Sequence, residues 1–148
     1  MLTQMFIGAA LIVATVLVHA ISLELIMRAF ISVRTERRVR WRGVAFPLVV
    51  LAVFTAHVIE IWIWAIFYYL KASISEIPTL EAALYFSTSS FTTVGFGDLV
   101  LSEDWRLLSC FEAMNGMILF GWSTAFIFAA VRQTYSHLYR DAGGYFSR

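Results

Sequence analysis

Three apolar runs, each long enough to cross a lipid bilayer and each nearly free of charge, constrain this chain more than any other feature: residues 5–27, 44–70 and 107–131. A bilayer core about 30 Å thick takes a helix of roughly 20 apolar residues, so three spans use up much of a 148-residue chain. With 60% of residues hydrophobic and 14% charged, a water-soluble globule is excluded and no room is left for a separate soluble domain. The first run lacks a positively charged start and a small-residue cleavage pattern, and reads as a retained helix rather than a secretory signal. Pro47 falls in the first turn of the second run, where a missing amide donor does little harm. Glu112 is the one formal charge in the third. The single cysteine, Cys110, excludes an intrachain disulfide and reads as a small packing residue.

Between the second and third runs lies a segment too short and too polar to cross. Residues 79–91 suit a helix of about 13 residues, roughly 20 Å long, which reaches the middle of a membrane but not its far side. Residues 92–98 are then left to return as extended chain. Non-helical backbone at that depth is tolerated only where protein or water surrounds it, so a water-filled pathway is implied. Loops rich in arginine stay cytoplasmic. Arg28, Arg34, Arg37, Arg38, Arg40 and Arg42 precede the second span, and Arg132, Arg140 and Arg148 follow the third. The N-terminus and the re-entrant segment are therefore expected outside and the C-terminus in the cytoplasm.

In Val94-Gly95-Phe96-Gly97 two glycines alternate with larger residues, and glycine alone visits left-handed backbone angles freely. Alternating the two hands turns successive carbonyls the same way. The carbonyls of Thr93, Val94, Gly95 and Phe96, above the Thr93 hydroxyl, would form a ladder of oxygens able to replace water around a cation. One strand offers too few oxygens at any level, so four copies around an axis are required.

Thr93-Val94-Gly95-Phe96-Gly97-Asp98, preceded by a short helix and flanked by two spans, resembles the selectivity filter of the tetrameric potassium channel pore-domain family. The resemblance covers residues 44–131, with one extra N-terminal helix. It implies an all-α membrane protein: an outer helix, a pore helix at 79–91, a filter at 93–97 that holds potassium in single file, and an inner helix, assembled as a fourfold homotetramer. It also implies filter support from Asp98, Tyr85, Phe86, Ser89 and Thr92, with the Tyr85 hydroxyl in reach of Asp98. Phe96 stands where tyrosine is commoner. Ser89 stands where some members carry a glutamate that pairs with the aspartate behind the filter. Gly116 and Gly121 read either as hinges of the inner helix or as points of close helix approach. Asn115, Ser123 and Thr124 are expected to face an aqueous cavity.

Thr79 and Glu81 suit capping of the short helix. Ionisable groups inside spans are costly and often functional. For His57 and Glu60, pH sensing stands beside buried hydrogen bonding to the pore helix or the first span; Glu24 can reach Arg28 four residues on. Arg34, Arg37 and Arg40 recur at voltage-sensor spacing, but Thr35, Glu36 and Arg38 between them make a cytoplasmic linker that touches anionic lipid, at about 1 kcal/mol per basic residue.

The chain thus divides into residues 1–43, a first span and basic linker; 44–131, a pore domain; and 132–148, a tail. The expected function is passive, potassium-selective conduction in a plasma or bacterial inner membrane, with no cofactor beyond the permeant ion, no nucleic-acid partner and no enzymatic activity. The alternatives are a non-selective cation pore of the same architecture and a non-conducting subunit that partners another channel.

Overall fold

The computed structural model describes residues 1–36, 42–71 and 74–145, and the side chains of residues 1–32, 46–71 and 74–132. Four α-helices follow in order: α1 (Leu2–Glu36), α2 (Arg42–Leu70), α3 (Leu80–Phe91) and α4 (Arg106–Tyr145). Leu2–Ser32, Phe46–Leu70 and Arg106–Arg132 are long and apolar enough to span a bilayer, and no strand occurs among the described residues. The chain is an all-α membrane protein. The first and last helices run further than the apolar runs that announced them, because helix propensity does not stop where hydropathy does. Arg37, Arg38 and Arg40 of the basic linker, and the side chain of Arg34, lie outside the described residues.

Each of the three long helices buries polar side chains within the bundle. On α1, Leu2, Phe6, Val13, Leu17, Ile21 and Leu25 are exposed, while Gln4, Thr15 and His19 are buried. Lipid accepts the apolar side chains, and the polar ones must find partners inside the protein. Thr15 accepts from Asn115 Nδ2 at 2.7 Å. Gln4 accepts from the Leu107 amide at 3.1 Å, and so satisfies a free donor at the start of α4. Lys71, at the end of α2, lies 5.2 Å from the Trp105 ring, next to the start of α4.

The core of the bundle packs Trp64, Ala65 and Tyr68 of α2 against Ala83, Phe86 and Phe91 of α3 and Leu108 and Leu119 of α4. α3 is thereby held between the two helices that flank it in sequence. Glu24 and Arg28 form the expected exposed pair at 2.7 Å.

Candidate functional site

The site begins where α3 ends. Thr79 caps its start, its hydroxyl accepting from the Ala82 amide at 3.1 Å, and Glu81 places a carboxylate in the first turn. At the other end the Thr92 amide donates to the Thr88 carbonyl at 3.1 Å. The Thr92 hydroxyl donates to Thr88 O at 2.7 Å. Thr92 therefore closes the helix immediately before the loop.

From there the backbone alternates in hand. Thr93, Gly95 and Gly97 have φ of 61°, 57° and 79°, and they are the only positive φ values among the described residues. A non-glycine residue in this region costs roughly 1–2 kcal/mol, so Thr93 is held there by its surroundings: its amide donates to Ser90 O at 2.9 Å.

Ser89 fastens the loop to the helix at two points. Its carbonyl accepts from the Gly95 amide at 3.1 Å, and its hydroxyl accepts from the Phe96 amide at 3.3 Å. A serine here grips the backbone, where a longer acid would reach past it.

Tyr85 braces the far end. Its hydroxyl donates to Asp98 Oδ2 at 2.8 Å, and its ring stacks on Phe96 with centroids 6.0 Å apart and planes 8° apart. The bond to Asp98 raises the phenol above its ordinary pKa, so Tyr85 stays a donor throughout the neutral range. Residues 93–98 are all exposed, and Val94 and Phe96 turn 56% and 68% of their surface outward.

Phe86 is buried, with its ring against Tyr68, so it packs into the core behind α3. The one-residue step from Tyr85 turns it about 100° around the helix. Gly116 is a point of close approach: a Cβ there would collide with the Phe91 carbonyl oxygen at the end of α3. Among the described residues, no atom from outside the neighbouring turns of α4 lies within 4 Å of a Cβ added at Gly121. Asn115 and Ser123 do not face an open cavity; both are buried, bonded to Thr15 and to the two span histidines respectively. Thr124 is exposed.

A further group of residues braces α3 from behind. Glu112 of α4 is fully buried. It accepts from Tyr68 Oη of α2 at 2.9 Å and lies within hydrogen-bond distance of Ser87 Oγ of α3. Ser87 also lies 2.9 Å from the Ile61 carbonyl of α2. One carboxyl thus ties three helices together. The signal in the sequence was the lone acid in an apolar run, but its partners on other helices could not be read from it. Glu112→Ala should destabilise the fold by about 3 kcal/mol, since it leaves the buried Tyr68 hydroxyl without its partner, removes one of the two acceptors of Ser87 and opens a void. Denaturation in detergent reads this directly, and a change below about 1 kcal/mol would deny the brace.

A family model described as "Ion channel" matches residues 48–133. No curated protein and no solved structure matches the chain.

Proposed function

The chain belongs to the ion channel family, as a pore-domain member, and from that premise we propose that four copies surround one axis and pass potassium passively through the loop 93–97. The observation that supports this most directly is the alternation of backbone hand at Thr93, Gly95 and Gly97. Alternation sends successive carbonyls to one side, and with the Thr93 hydroxyl it supplies stacked oxygens for a dehydrated monovalent ion. The opposite side is pinned by Ser89 and Tyr85. A single subunit leaves the loop uncovered, and three more copies would complete both the ion's coordination and the burial of Val94.

The remaining parts serve entry and orientation. The C-terminal end of α3 presents partial negative charge to a cation approaching from below the loop. Arginine placement sets the loop on the outer face and the C-terminus in the cytoplasm. Arg34, Arg37, Arg38 and Arg40 would then meet anionic lipid headgroups.

Purified protein in liposomes tests the reading. Under a potassium gradient it should carry potassium flux that barium blocks, with a reversal potential set by potassium against sodium. Equal permeability of the two ions would leave a non-selective pore, and no flux from this protein alone would leave a subunit that needs another channel.

A further inference from the structure

The buried polar groups that conduction leaves unused converge at one place between the three spans. His19 of α1, His57 and Glu60 of α2 and Ser123 of α4 close into a ring. Glu60 Oε1 lies 2.8 Å from His19 Nδ1, and Glu60 Oε2 lies 2.9 Å from His57 Nδ1. On the other side Ser123 Oγ lies 2.9 Å from His57 Nε2 and 3.3 Å from His19 Nε2. His19 and Glu60 have no exposed surface, and His57 and Ser123 are buried. Aromatic rings surround the group: Trp122 lies against His19, and Phe91 and Phe120 against His57.

The other described charges on these helices are engaged or exposed elsewhere. On α1, Glu24 and Arg28 pair with each other in the open. On α2, Lys71 lies against Trp105. α3 presents Phe91 to the ring, and its Glu81 is exposed. On α4, Glu112 is bonded to Tyr68 and Ser87, and Arg106 and Arg132 are exposed.

Four hydrogen bonds need four protons. With Glu60 ionised and both imidazoles neutral the ring holds three: one on each Nδ1 and one on Ser123. One Nε2 then meets Ser123 Oγ with lone pair against lone pair, and a net negative charge sits among aromatic rings. One added proton completes the ring and cancels that charge, whether it rides on an imidazole or on the carboxyl. A divalent metal on the same ligands would instead leave a net positive charge in the same dry place, which burial opposes.

We infer that this ring is a binding site for a single proton, which fastens α1 and α2 to α4 at Ser123, and that its occupancy regulates conduction. The second half rests on the pore reading above. Ser123 follows shortly after Gly121, where no described atom of the same chain outside the neighbouring turns of α4 lies within 4 Å of an added Cβ, so loss of the tie frees the helix at a point that the rest of its own chain leaves unbraced.

Two variants set the ring at opposite ends. In Glu60→Gln the amide donates to one imidazole and accepts from the other, which closes the ring with no added proton. Ser123→Ala leaves it open at every pH. Two readouts are taken across about pH 4 to 10, a range that brackets the titration of histidine. One is the fluorescence of Trp122, as the difference between each protein and its Trp122→Phe counterpart; the other is potassium flux in liposomes.

The parent's Trp122 emission should titrate as a single-proton step that is lost in Glu60→Gln. Its flux should depend on pH, with Glu60→Gln flat at the parent's acid level and Ser123→Ala flat at its alkaline level. Unchanging emission in the parent, a titration that survives Glu60→Gln, or one abolished by a chelator and restored by zinc would overturn the proton site. Titrating emission with pH-independent flux would overturn the regulation. Titrating emission with no flux at any pH would instead strike the conduction reading and leave the proton site standing.

Discussion

Gly95→Ala should lower potassium flux on the order of 100-fold or more while leaving the helical fold intact. Gly95 has φ of 57°, where an alanine costs roughly 1–2 kcal/mol. In a fourfold assembly the penalty recurs in every subunit, for a total of about 4–8 kcal/mol, and each 1.4 kcal/mol is worth about a factor of ten. Apart from its chain neighbours, no described atom lies within 4 Å of the added methyl, so the effect comes from the backbone turning its carbonyl away. Because residues 93–98 are exposed within one subunit, circular dichroism and denaturation should be nearly unchanged. Liposome flux close to the parent's would refute the view that alternating backbone hand carries the ion.

The second large effect lies behind the loop. Gly116→Ala should destabilise the protein by about 3 kcal/mol or more, because the new Cβ meets the backbone carbonyl of Phe91 and not the end of a flexible side chain. α4 and the end of α3 would have to move apart, and Thr92 and Thr93, which follow Phe91 directly, would move with it. Loss of stability in detergent denaturation together with loss of flux is expected. A hinge glycine would behave otherwise: its replacement would leave stability alone and change only the time the pore spends open.

The spans, the short capped helix and the loop could be placed from the sequence because each depends on local features. Apolar length sets 44–70 and 107–131, Thr79 and Glu81 mark the start of α3, and Gly95 and Gly97 allow the left-handed angles. The pairing of Tyr85 with Asp98 was within reach through the family resemblance, which covers the whole helix-and-loop unit that holds both residues. Glu24 with Arg28 is a neighbouring pair on one helix face.

What lay beyond the sequence was the rotation of each helix about its own axis. In water the apolar face of a helix points inward and announces itself. In a bilayer both the lipid side and the protein side accept leucine, so hydropathy does not say which face is which. That is why Asn115 and Ser123 were expected to face an aqueous cavity and are instead bonded to α1 and, for Ser123, to α2 as well, and why Phe86 turned into the core while Tyr85 kept to the loop. The partners of Glu112 and the meeting of His19 with His57 and Glu60 join residues far apart in the chain on separate helices. The sequence by itself determined that the chain spans a membrane and where a backbone of alternating hand must lie. Tertiary structure decided which buried polar groups meet, because hydrogen bonds between helices depend on how each one is turned, and apolar composition leaves that turn free.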